Sequence, residues 1–185
     1  MSKIATMLVA VACLLPTTFC LQAQAQPESY SGILATGNAS AAQIKFNFTI
    51  TKYATDDELK ELAATLKDKG EDALIDALKK LDAGRINQLG DTGNQIAIAE
   101  KAQSGKDTVI TIITARRIST VELKRKAAHA DYPLGYLSVT LKENGEGTGK
   151  MMTAAKIKFD EKKGHFKLEP YGNGFSKVTN VVAVK

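Results

Sequence analysis

Ile44, Phe46, Phe48 and Ile50 alternate with Lys45, Asn47, Thr49 and Thr51. Successive strand side chains point to opposite faces, so this period of two predicts a strand with one apolar and one solvated face. A shorter strand is expected just before it, over residues 31–37. The pattern changes at Thr55, which with Glu58 fits a capping box at a helix start. Leu59, Leu62, Ala63 and Leu66 follow at helical spacing, Gly70 interrupts, and Leu74, Ala77, Leu78 and Leu81 resume the pattern until Gly84. Acids open each half and lysines close it, which complements the helix dipole. The expectation is a helical hairpin or kinked pair with its leucine face on a sheet.

No helical period returns after Gly84. Apolar or alternating runs predict strands over residues 95–102, 108–115, 121–126, 137–141, 152–159, 166–169 and 178–184. The β-branched run 108–115 is expected to be buried on both faces. Turn-formers separate the runs: Ser104-Gly105-Lys106, Asn144-Gly145, Lys163-Gly164 and Gly172-Asn173-Gly174. Such short connections imply antiparallel pairing. The predicted class is α+β: a strongly curved antiparallel sheet of about 7–9 strands, with a helical pair inserted after the second strand.

The first 25 residues read differently. Lys3 precedes an uncharged apolar run over residues 4–15, and Ala23-Gln24-Ala25 matches a small-residue cleavage site. A signal peptide cut between Ala25 and Gln26 is expected, which places the mature chain in the periplasm or outside the cell. The run is too short to span a bilayer, which takes about 20 residues. Both cysteines, Cys13 and Cys20, fall in that leader, so the mature chain is expected to carry no disulfide and no thiolate metal site. Removing 25 of 185 residues leaves 160, a length suited to one domain over residues 26–185.

Charge divides the mature chain. Residues 26–100 carry 8 basic and 12 acidic side chains; residues 101–185 carry 16 and 8. Arg116, Arg117, Lys124, Arg125 and Lys126 form the densest basic stretch, set against Glu122. Such a patch attracts phosphate-bearing polymers or anionic lipid head groups. Nucleic acid is not expected, because no aromatic residues interleave with the charges to stack on bases.

Catalytic patterns are sparse. The segment 145–150, Gly-Glu-Gly-Thr-Gly-Lys, has Asn144 where a phosphate loop needs its first glycine, and a predicted strand follows it. It reads as a hairpin tip. His129 with Asp131 supplies two metal ligands where a catalytic zinc needs three, and His165 lies on another hairpin. No G-x-S-x-G elbow is present. No cofactor, metal or catalytic residue is therefore assigned. Asp131-Tyr132-Pro133 reads as a turn held by its proline.

Thr114-Ala115-Arg116-Arg117, Asp131-Tyr132-Pro133, the glycine-rich segment 145–149 and Ala154-Ala155-Lys156-Ile157 together resemble a pattern in uncharacterised secreted proteins of environmental bacteria. The resemblance implies export and one domain, and brings no activity with it.

Three functional expectations follow. The leading one is a non-enzymatic envelope protein that contacts anionic material through Arg116, Arg117, Lys124, Arg125 and Lys126. The second is a carrier of a small apolar ligand, held in a cavity of sheet and helices lined by Phe46, Phe48, Ile157 and Phe159, residues that equally suit a solid core. The third is an envelope hydrolase using carboxylates around Glu122, Asp131 and Glu146.

Overall fold

A computed structural model describes residues 26–35, 43–88, 92–118, 131–160, 165–172 and 174–184. Within them β1 (Glu28–Ala35) and β2 (Gln43–Ile50) precede a helix, α1 (Asp56–Leu78). Then come β3 (Gly84–Gln88), β4 (Asn94–Ile96), β5 (Ile98–Ser104) and β6 (Asp107–Thr114). After a stretch outside the described residues follow β7 (Leu134–Leu141), β8 (Gly147–Asp160), β9 (His165–Pro170) and β10 (Ser176–Val184). The leader and the expected strand over residues 121–126 lie outside the described residues.

Every strand pairing is antiparallel, in the order β4-β3-β2-β1-β10-β8-β7-β6-β5, with β9 on the far half of β8. The two ends of that order are neighbours in sequence, joined by Ala97 alone. The Ile96 carbonyl accepts from Ala83 N–H, continuing the pairing with β3, and Ala97 N–H donates to the Ile113 carbonyl, continuing the pairing with β6. The sheet therefore curls into a nearly closed barrel, which removes most exposed edges.

Alternation decides what fills it. Phe46, Phe48 and Ile50 of β2 point inward, and Tyr30 stacks on Phe48 with ring centroids 4.9 Å apart. Leu34, Ile86, Ile96, Ile110, Ile112, Leu137, Val139 and Met151 join them, all fully buried. Each such side chain contributes about 1.5–3 kcal/mol by leaving water. In the β7–β8 hairpin, Gly149 meets Val139 at a point where any Cβ would lie 2.1 Å from the Ser138 carbonyl oxygen. The glycine-rich segment is the tip and first rungs of this hairpin, with Asn144 Oδ1 accepting from Glu146 N–H.

The curved antiparallel sheet agrees with the sequence reading, and three features of the expectation change. The described residues form ten strands, because the single predicted strand over residues 95–102 divides at Ala97 and because β3 is added to those expected. In place of a helical pair the described residues hold one helix, bent at Gly70. Strand β6 is also not buried on both faces: Ile110, Ile112 and Thr114 are buried, and the residues between them are only partly so.

Candidate functional site

Thr55 caps α1 as its sequence suggests. Glu58 N–H donates to Thr55 Oγ1 at 3.2 Å, and Thr55 N–H donates to Glu58 Oε2 at 2.9 Å. Helical spacing then puts Leu59, Leu62, Ala63 and Leu66 on one face. Gly70 bends the helix with φ 84° and ψ −176°, a region essentially closed to residues with a Cβ. Beyond it Leu74, Ile75 and Leu78 are buried. The opposing surface is the outer wall of the barrel, where Ile98, Ile113, Leu134 and Ile157 come from β5, β6, β7 and β8. This second apolar cluster is separate from the barrel interior.

The helix and wall do not close completely. They leave a cavity of about 390 Å³ lined by Leu59, Leu62, Ala63, Leu66, Leu74 and Leu78 above and by Ile98, Ile113, Leu134 and Ile157 below. Lys60 and Glu100 complete its lining. Lys60 Nζ pairs with Asp57 Oδ1 at 3.2 Å, but both side chains are largely exposed, so the pair holds Lys60 only weakly. A narrow crevice adjoins the cavity at Leu62 and Ile98, lined by the small residues Ala54, Ala83, Ala97 and Ala99. Ten of the twelve cavity-lining residues are apolar, and none offers a hydroxyl, imidazole or thiol. What this lining can do is remove an apolar group from water.

A polar cluster sits at the start of β1. Glu28 Oε2 accepts from the hydroxyls of Tyr30 and Tyr53, each at 2.7 Å, and Lys101 Nζ donates to Oε1 at 2.9 Å. Burial alone would raise the Glu28 pKa; the two hydroxyls and Lys101 outweigh it and hold it below its ordinary value. Burial and the Glu28 charge push both tyrosines up. The ammonium of Lys101 also lies 5.2 Å from the Tyr53 ring centre. A further hollow, of about 700 Å³, is lined by the polar side chains of Thr49, Thr51, Asp82, Arg85, Asn87 and Thr92.

The residues expected to carry function are placed as follows. Arg116 is exposed and Arg117 half-buried just after β6; Lys124, Arg125 and Lys126 lie outside the described residues. Of the two places open to Phe46 and Phe48, cavity lining and solid core, they take the second, in the barrel interior at 2% and 0% exposure. Ile157 does line the cavity, and the Phe159 side chain lies outside the description. Asp131 and Glu146 flank opposite ends of β7. Its seven steps of about 3.3 Å carry those ends about 23 Å apart, while paired glycosidase carboxylates stand within about 10 Å. Glu122 and His129 lie outside the described residues. Among the described residues no three potential metal ligands cluster, and no helix is long and apolar enough to cross a membrane.

Sequence reasoning identified the leucine face of α1 but not the wall that meets it. Ile98 belongs to a run expected as one strand and Ile113 to one expected to be buried on both faces, and nothing local shows that both face α1. No protein-family model, no curated protein and no solved structure matches this chain.

Proposed function

We propose that this chain binds a small apolar ligand, or the apolar tail of an amphiphile, in the cavity between α1 and the barrel wall. The observation that carries the reading is the cavity itself: about 390 Å³ with an apolar lining drawn from the helix and four strands. Ligand sites typically measure about 300–1,000 Å³ and are lined in this way. Lys60 and Glu100 give the polar end of an amphiphile somewhere to remain hydrated. We place this binding in the bacterial envelope or outside the cell, on the strength of the leader and the A-x-A site before Gln26.

Native mass spectrometry of freshly purified protein, with titration by the fluorescent apolar probe N-phenyl-1-naphthylamine, tests this. A co-purified mass or a saturable fluorescence gain is expected. A ligand at a hundredfold excess over its Kd adds about 2.7 kcal/mol of stability, a rise in Tm of several degrees. No co-purified mass, no fluorescence gain and no Tm change across a panel of fatty acids and lysolipids would overturn the reading.

Contact with anionic envelope material through Arg116 and Arg117, with Lys124, Arg125 and Lys126, is a second reading. It is supported by the exposure of Arg116 and by the absence of a carboxylate partner for either arginine among the described residues. Binding to anionic vesicles that falls steeply with salt is expected; binding unchanged at high salt would count against it.

A further inference from the structure

The two arms of α1 are held to the barrel very differently. Residues 71–78 bury Leu74, Ile75 and Leu78. Their first residue, Glu71, is side-chain buried to 19% exposure and accepts the backbone N–H of Ile157 at 2.9 Å. Lys156 Nζ lies 3.8 Å from the same carboxylate. Residues 56–69 bury Leu66 alone. Of their other apolar residues, Leu59, Leu62 and Ala63 are only half-buried and face the cavity, and Ala64 is exposed; Leu74 and Leu78 also line the cavity but are buried against the wall. A side chain over a void forfeits the dispersion contacts it would make with packed atoms. The first arm thus supplies most of the roof, buries one side chain in 14 residues where the second buries three in eight, and is the less firmly held part of the helix.

That arm is anchored at its start and can pivot at its end. Before it, Ala54 N–H donates to the Ala99 carbonyl at 2.8 Å, and the Thr55–Glu58 capping box secures the first turn. After it comes the bend at Gly70, where a Cβ would meet nothing within 4 Å. The bend is therefore not crowded into place by neighbours, and the φ of 84° uncouples the two arms. A helix of about 14 residues is marginal in water by itself and depends on its packing. Weakly packed segments open locally at lower free energy than the rest of a domain.

From these observations we propose that residues 56–69 form a strap that lifts to admit ligand, while Glu71 holds residues 71–78 on β8. Gly70 is the hinge and Glu71 the positioning residue. The admission of ligand rests on the cavity-binding reading above; the difference in opening between the two arms does not.

Hydrogen–deuterium exchange of the full mature chain, read on peptides covering 56–69 and 71–78, separates these. In the free protein, protection factors at least tenfold lower in 56–69 than in 71–78 are expected. Saturating N-phenyl-1-naphthylamine raises protection in 56–69 at least fivefold and leaves 71–78 unchanged. Glu71→Ala, which removes the acceptor of the Ile157 N–H, brings 71–78 down toward the protection of 56–69. Equal protection of the two arms in the free protein overturns the strap, even where the probe binds. Unequal arms together with no probe binding uphold the strap's mobility and overturn its role in admitting ligand. Protection of 71–78 unchanged in Glu71→Ala removes Glu71 from the mechanism.

Discussion

The Glu71 carboxylate accepts the backbone N–H of Ile157 at 2.9 Å, across 86 positions of sequence. The contact falls where β8 outruns β7: pairing with β7 stops at Leu134 opposite Ala155, while pairing with β9 continues to Asp160. A strand edge that would otherwise need water is instead satisfied by the helix. Glu71→Ala should therefore lower unfolding stability by about 1–3 kcal/mol, the cost of a half-buried donor that loses its acceptor. Lys156→Ala should cost less than about 1 kcal/mol, because its 3.8 Å pair is a partly exposed one. Urea unfolding of both variants measures the difference; equal effects would mean that the ion pair, not the backbone contact, fixes the helix.

Gly70 makes a second prediction by its backbone alone. Its φ of 84° and ψ of −176° are available to glycine at little cost and strained for any residue with a Cβ. Gly70→Ala should destabilise the domain by about 1–3 kcal/mol although the new methyl meets no atom within 4 Å. The strain can be relieved only by straightening the helix, which would pull one arm off the wall. A Gly70→Ala protein with unchanged urea midpoint would show that the bend is not fixed in solution.

These two residues show where local pattern stops being informative. Thr55 and Glu58 announced the helix start, and the 44–51 alternation announced β2, because both signals are complete within a few residues. Gly70 announced an interruption, but a bend and a two-helix turn share that signature; the choice depends on where the second arm finds its partners. Strand β3 escaped notice because Gly-Arg-Ile-Asn-Gln has one buried apolar side chain, Ile86, and polar neighbours on either side. Its place is set by its partners, with Ile86 opposite Phe48 on β2. Barrel closure depends on Ala97 serving two neighbours in turn. The cavity collects residues from five elements, so no window of sequence contains it.

Ala63 offers a way to fill the cavity without disturbing the barrel. It lies on the roof beside Leu59, Leu62 and Leu66, and its methyl faces the void. In Ala63→Leu the added carbons would occupy empty space and bury apolar area, where a packed site would be strained by them. The expected outcome is an unchanged or higher Tm with at least tenfold weaker binding of N-phenyl-1-naphthylamine. Phe48→Ala is the contrasting case. It empties the barrel interior and should cost about 3–5 kcal/mol, while leaving the cavity lining in place. Probe affinity undiminished in Ala63→Leu would place the ligand elsewhere.

The Glu28 cluster governs the response to pH. Its folded pKa lies below its ordinary value of 4.5, so the unfolded chain takes up the proton first as pH falls. The stabilisation is complete above about pH 4.5 and is lost as pH falls through the lower folded value. Tyr30 and Tyr53 behave in the opposite sense. Their folded pKa values are raised above 10.0, so their contribution holds below pH 10 and is lost as pH rises beyond it. Glu58, Asp76 and Glu169 also sit below their ordinary values, held there first by the Thr55 backbone N–H, by Lys79 and by Lys158 respectively, and add to the acid limb in the same sense. Glu28→Gln should lower stability at pH 7 by about 1–3 kcal/mol and flatten the fall between pH 5 and pH 3. Tyr53→Phe should flatten the alkaline fall while leaving the Tyr30 and Lys101 bonds to Glu28 in place. Urea midpoints across that range decide it: an acid limb as steep in Glu28→Gln as in the parent would assign acid sensitivity to other carboxylates.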